Sequence, residues 1–230
     1  GVNVIFFGDD SVRIVRAVAS LYPETLHIVT RTDAGIRSVL DLRGKRMSLD
    51  EGRSGTLVDM RIVLDAHDLS ENDLNPVYLK PVFANDKMAR GELDGFVAMT
   101  GIPTEAVTKI ADVGIFMVPI SRIKMERINA RFQYLVPGII PAGTYPGVPD
   151  TPTLQVNALF AVSANASDDL VYQVTKALWS EHTLSIVKAG HPQGKAIGLV
   201  TALNGISVPL HPGAERYYRE CGMLQPASRS

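Results

Sequence analysis

The residues best suited to chemistry are the small polar run Gly52-Arg53-Ser54-Gly55-Thr56, which leads directly into apolar residues at helical spacing. Free backbone N–H groups at a helix start, the Ser54 and Thr56 hydroxyls and the positive end of the helix dipole together suit an anion. The run lacks the closing Lys of a nucleotide P-loop. The same residues would also serve as an ordinary helix cap, with Ser54 or Gly55 letting the loop turn. Thr100-Gly101-Ile102-Pro103 is a second loop of the same kind, expected to follow a strand and to open a helix at Pro103, where the missing N–H costs nothing. Two such helix starts at the carboxyl ends of strands in one sheet would converge on one crevice and favour a small anion there, most simply a carboxylate. The third candidate is Pro141-Ala142-Gly143-Thr144-Tyr145-Pro146-Gly147. Its stiff loop offers the Tyr145 ring and hydroxyl to a ligand, or forms a surface turn whose tyrosine packs on its neighbours.

Other chemistries find less support. His27, His67, His182, His191 and His211 show no helical metal-pair spacing and no carboxylate in a known ligand arrangement, so structural or solvent-exposed roles are expected and no metal site is assigned. There is no Gly-x-Ser-x-Gly elbow, and no base stands near Ser54 in sequence, so no catalytic residue is assigned and the chain is not read as an enzyme. The single cysteine, Cys221, excludes an intrachain disulfide and a multi-thiolate metal site. No cofactor is expected. The charged stretch Ser121–Arg131 reads as a solvated helix face.

Segments of strand and helix character alternate, and must position these loops. Leu26–Thr30, Lys45–Leu49, Gly95–Met99, Ile115–Ile120 and Gln155–Val162 read as strands. Ile36–Leu42 suggests a helical turn or two, and Leu57, Met60, Val63, Leu64 and Ala66 mark one face of a helix over Thr56–His67. Pro103 is expected to open a helix through Ile110, and Ser167 to cap another over Asp168–Trp179. This order is α/β.

Composition bounds the function. With 23 basic against 24 acidic residues in 230, the chain has no surplus of positive charge for a polyphosphate backbone, and nucleic acid is not an expected partner. Although 46% of the residues are apolar, runs such as Val156–Val162 fall far short of the roughly 20 that span a bilayer, so the chain is not expected to be membrane-inserted. No basic segment with a following apolar run marks the start, so a secretory signal is expected to have been removed or never present.

Several segments in order resemble the TAXI subfamily of extracytoplasmic solute-binding proteins of tripartite ATP-independent periplasmic (TRAP) transporters. They include residues 17–24 with Tyr22-Pro23, residues 41–46, Ser54-Gly55-Thr56, residues 91–96, Thr100–Thr104, residues 140–147, and Pro209-Leu210-His211-Pro212-Gly213-Ala214-Glu215-Arg216-Tyr217-Tyr218. The resemblance implies a type II periplasmic-binding-protein fold, two α/β lobes joined by crossing hinge strands. Residues 1–35 would give part of lobe 1 and a hinge strand, 36–149 lobe 2, and 150–230 the return strand and the closing helices of lobe 1. Because the family pattern opens with a glycine-rich strand and loop upstream of Gly1, lobe 1 is expected to be incomplete. The implied function is capture of a glutamate-like amino acid or other small carboxylate in an interlobe cleft, in the periplasm, for delivery to a TRAP permease. The implied ligand residues are Tyr22, Arg53, Ser54, Gly55, Thr56, Thr100, Gly101 and Tyr145. Where the family pattern has Gly-Ala-Pro-Gly before Ser-Gly-Thr, this chain has Asp50-Glu51-Gly52-Arg53. Arg53 could clamp a carboxylate, whereas Asp50 and Glu51 would oppose one. Other readings are the ligand-sensing domain of a signalling protein, an enzyme supplied with a base from elsewhere in the fold, and a truncated, non-binding remnant.

Overall fold

The computed structural model describes residues 14–190 and 192–225 and divides into two compact units. One unit is Pro23–Val156; the other contains residues 14–22 and 157–225. The chain changes unit inside strands β1 (Val15–Arg31) and β7 (Thr151–Ser163).

The Pro23–Val156 unit is built on a mixed sheet. Strands β2 (Arg46–Ser48), β3 (Asn75–Val77) and β4 (Gly95–Thr100) are parallel, with β2 between β3 and β4. β4 then pairs antiparallel with β1, placing Thr25 opposite Thr100 and Thr30 opposite Gly95. β5 (Ile115–Met117) also pairs with β1, and β6 (Val136–Ile140) runs antiparallel to β7. Side chains alternate across a strand, so β4 splits its apolar residues between two cores. Val97 and Met99 join Leu26, Ile28 and Met47 in one core, while Phe96 and Ala98 join Val29 in another. A sheet covered on both faces needs such unbroken apolar strands, which is the mixed α/β organisation that the alternating pattern predicts.

Helix α1 (Gly55–Ala66) buries Leu57, Met60, Val63 and Leu64 in the first core. Helix α2 (Pro81–Ala89) buries Ala84 and Met88 in the second, with proline at its first turn. Ile36–Leu42 condenses to a single 3₁₀ turn, Val39–Leu42, held by a reciprocal capping box between Ser38 and Asp41. Helix α3 (Glu105–Thr108) is one turn long. The expectation of a helix from Pro103 to Ile110 is therefore corrected: Thr104 has extended backbone, φ −111° and ψ 139°, and its N–H is bonded to the Tyr145 hydroxyl instead of entering a helix. Helix α4 (Arg122–Arg131) follows its Ser121 cap, buries Met125 and Ile128 and turns its charges outward.

The second unit carries α5 (Asp168–Leu178), α6 (Glu181–Gly190) and α7 (Pro212–Glu220). The Ser167 oxygen accepts from the Leu170 N–H at the start of α5. His211 is fully buried and caps α7 by accepting from the Gly213 N–H. A side chain at Gly213 would lie 2.2 Å from the Asp168 carbonyl oxygen, so this glycine lets α7 approach α5. Trp179 Nε1 donates to the Tyr218 hydroxyl, which donates to the Val18 carbonyl, so two large aromatic residues are buried with their polar atoms paired.

Candidate functional site

The parallel strands β2, β3 and β4 end on the same side of the sheet, as parallel strands must. The segments that leave those ends surround a cavity of about 690 Å³, and every residue lining it belongs to the Pro23–Val156 unit. After β2 come Asp50, Glu51, Ser54, Gly55 and Thr56; after β3, Lys80, Pro81, Val82 and Asn85. Thr100 ends β4, and Thr104, Glu105, Ala106 and Lys109 follow it. Open α/β sheets bind ligands at the carboxyl ends of their strands, and the volume suits a small molecule.

The start of α1 is the best-defined donor group of this wall. The Ser54 oxygen accepts from the Leu57 N–H at 3.1 Å, leaving the Gly55 and Thr56 N–H groups without acceptors among the described residues. The Thr56 hydroxyl likewise makes no hydrogen bond among them, although Thr56 is 2% exposed. Two backbone N–H groups and a hydroxyl at the positive end of a twelve-residue helix can hold one carboxylate or sulfonate. The expectation of a second helix terminus converging on this crevice is corrected. With four residues, α3 has too few aligned peptides to form one, so Thr100 contributes its strand end and Thr104 a loop.

The charges of the wall are nearly balanced. Lys80 Nζ lies 3.5 Å from Glu51 and Lys109 Nζ 2.8 Å from Glu105. Asp50 is the third acid, and its Oδ1 accepts from the Glu51 N–H. An anion bound here therefore depends on backbone N–H groups rather than on a spare cation.

The sequence candidates separate. Ser54, Gly55, Thr56 and Thr100 line the cavity together. Arg53 is exposed at φ 80° and is not one of the lining residues. Gly101 is buried and is not one of the lining residues. Tyr145 does not line the cavity: it sits on a turn whose flanking residues are exposed, as the second reading expected, and packs its own side chain fully inward, with its hydroxyl 2.8 Å from His27 Nε2 and accepting from the Thr104 N–H. Left-handed Gly143 and Gly147 form the turns that direct it inward. Tyr22 is half-buried and packs against the core of the other unit.

The described histidines have structural or exposed positions. His27 and His211 are fully buried, the His67 Nδ1 lies 2.7 Å from the Val63 carbonyl, and His182 is exposed. His191 lies outside the described residues. Among the described residues no helix is long and apolar enough to cross a membrane.

Sequence reasoning missed the α2 contribution. Asn85 is 1% exposed, its Nδ2 donates to the Ala106 carbonyl at 3.4 Å, and its Oδ1 has no partner among the described residues. An unpaired buried acceptor costs about 1–3 kcal/mol. A polar residue between Ala84 and Met88, on the apolar stripe of a helix opened by Pro81, was the available signal.

In comparison with solved structures, the chain is similar to the alkanesulfonate-binding protein SsuA from Xanthomonas axonopodis pv. citri bound to MOPS. The identity is 19%, over 89% of this chain and 59% of that one, with a TM-score of 0.47. An ancestral arginine-binding protein bound to arginine matches at 14% identity, over 83% of this chain and 66% of that one, with a TM-score of 0.48. The arginine-, lysine-, histidine-binding protein ArtJ from Geobacillus stearothermophilus matches at 11% identity, over 76% and 61%, with a TM-score of 0.44. The matched part is thus less than two thirds of each of these proteins. Residues 3–222 match the NMT1-like family, and the chain belongs to that family.

Proposed function

We propose that this chain is the binding part of an extracytoplasmic solute receptor of the TAXI type, which captures a small organic acid for a TRAP permease in the periplasm and does no chemistry on it. The observation that carries the reading is the start of α1. Its Gly55 and Thr56 N–H groups and Thr56 hydroxyl, without partners among the described residues, meet the cavity at the ends of three parallel strands. The sequence segments shared with the TAXI pattern, Ser54-Gly55-Thr56 among them, support the transport role. Binding without turnover fits the site because neither Ser54 nor Thr56 has a hydrogen-bonded base among the described residues.

The test is thermal unfolding with amino acids, dicarboxylates and other small organic acids, in the wild type and in Gly55→Val. A ligand at ~100 times its dissociation constant adds about 2.7 kcal/mol of stability. Stabilisation by acids alone, abolished in a folded Gly55→Val protein whose branched side chain covers the helix start, is the expected result. No response to any acid, or an unchanged response in the variant, would remove the site.

A further inference from the structure

Asn85 stands on the buried face of α2 and on the wall of the same cavity as the start of α1. Its donation from Nδ2 to the Ala106 carbonyl fixes the orientation of the amide, because the reversed amide would set oxygen against oxygen. The group left over is thus an acceptor, Oδ1, without a partner among the described residues. Buried polar atoms are paired as a rule, so an orphan acceptor in a cavity wall marks the place of a donor that arrives from outside the chain.

The remaining wall chemistry narrows that donor. The α1 start supplies N–H groups for one anionic group, and both wall lysines are already paired with Glu51 and Glu105. Asp50 has no ion-pair partner among the described residues. A second negative charge on the solute would meet acids with no spare cation, whereas a positively charged N–H donor would meet an amide oxygen and a surplus carboxylate. Resting on the anion-site reading above, we propose that Asn85 is a specificity-determining residue. Its Oδ1 accepts an N–H from an amino group carried by the bound acid, so that the cavity selects amino-bearing acids over their amino-free counterparts.

Calorimetric titration of matched probes tests this: glutamate against glutarate, alanine against propionate, and taurine against ethanesulfonate, each with the wild type and with Asn85→Leu. In the wild type, the amino-bearing member of any pair that binds is expected to be at least about tenfold tighter, or about 1.4 kcal/mol. Asn85→Leu should bring that pair to within about twofold by weakening only the amino-bearing member. Equal affinities in the wild type, tighter binding of the amino-free acid, or a preference that survives in Asn85→Leu would each overturn the proposal while leaving the anion site in place. The wild-type comparison decides even if the leucine variant fails to fold. Binding of no probe at all would overturn the anion site and this inference with it.

Discussion

His27 Nε2 and the Tyr145 hydroxyl lie 2.8 Å apart in the middle of a buried chain of hydrogen bonds that ends at the cavity wall. The His27 Nδ1 is 2.8 Å from the Thr25 carbonyl, which can only accept, so Nδ1 carries the proton and Nε2 receives the Tyr145 O–H. The tyrosine oxygen then accepts from Thr104, a wall residue, at 3.0 Å. Burial lowers the His27 pKa to about 4 and raises that of Tyr145 to about 12, so both are neutral near pH 7. Tyr145 thus acts on the cavity by positioning the backbone of its wall.

Replacing Tyr145 with Phe should therefore leave two groups, the buried His27 Nε2 and the half-buried Thr104 N–H, without partners. The expected cost is about 2–4 kcal/mol in urea unfolding, taking roughly 1–3 for each orphan and some relaxation. Amide exchange at Thr104 should accelerate more than exchange within α1. A loss below about 0.5 kcal/mol with unchanged exchange would mean that the chain of bonds holds nothing in place.

The loop before α1 stores backbone strain that substitution can release. Asp50 and Arg53 adopt φ 69° and φ 80°, at the positions where the TAXI pattern places its two glycines. The left-handed backbone costs a residue with a Cβ about 1–2 kcal/mol, and Asp tolerates it better than Arg. Arg53→Gly should raise stability by about 0.5–1 kcal/mol after the entropy of glycine is deducted, and Asp50→Gly by less. A lower urea midpoint for Arg53→Gly would show that the arginine side chain holds the loop.

Much of the fold was legible because its signals are local. The β4 strand was visible in its apolar run, α1 in the three- and four-residue spacing of Leu57, Met60, Val63 and Leu64, and the α5 start in Ser167. The site was legible where one loop builds it, at Ser54-Gly55-Thr56. It was obscure where distant segments meet: Tyr145 reads as a loop tyrosine until the fold sets it against His27, 118 residues earlier. Asn85 belongs to the cavity because β3 aims its helix there, and a three-residue strand containing Pro76 gives little β signal. The segment 209–218, one of those read from the sequence as resembling the TAXI pattern, lies in the unit that contains no lining residue of this cavity. There Gly213 and His211 serve helix packing and capping.

Gly95 is a similar case, in which a segment shared with the family pattern answers to packing. A Cβ there would lie 2.3 Å from the Val29 carbonyl oxygen and 2.9 Å from the Met47 terminal methyl. Neighbouring Asp94 accepts from the Arg46 backbone N–H and pairs with its guanidinium, tying β4 to β2. Gly95→Ala should cost about 1–3 kcal/mol, the usual price of overpacking. An equal loss for Gly52→Ala, at a position with open space around it, would argue against this explanation.

Asp59 gives stability a dependence on pH that His27 opposes. Asp59 lies on the buried face of α1, 6% exposed, and accepts a hydrogen bond from the Tyr134 hydroxyl at 3.2 Å. Burial, with a smaller contribution from the Glu24 carboxylate and against the Tyr134 bond, raises its pKa to about 7. The folded protein therefore holds this proton more tightly than the unfolded chain, whose Asp titrates near ~3.9, and the associated stability is lost as pH rises from about 4 to 7. His27, with its pKa lowered by burial, has the opposite sign: its stability is present above ~6.5 and lost as pH falls towards 4. The wild-type profile sums the two, so a difference profile is needed to isolate Asp59. Asp59→Asn keeps the shape and removes the charge, and should stabilise the protein at pH 8 by roughly 1–3 kcal/mol relative to its effect at pH 4. Urea unfolding at pH 4, 6 and 8 gives that difference directly. If it stays flat across the three, Asp59 titrates in the folded protein as it does in the unfolded chain and the α1 core face accommodates its charge.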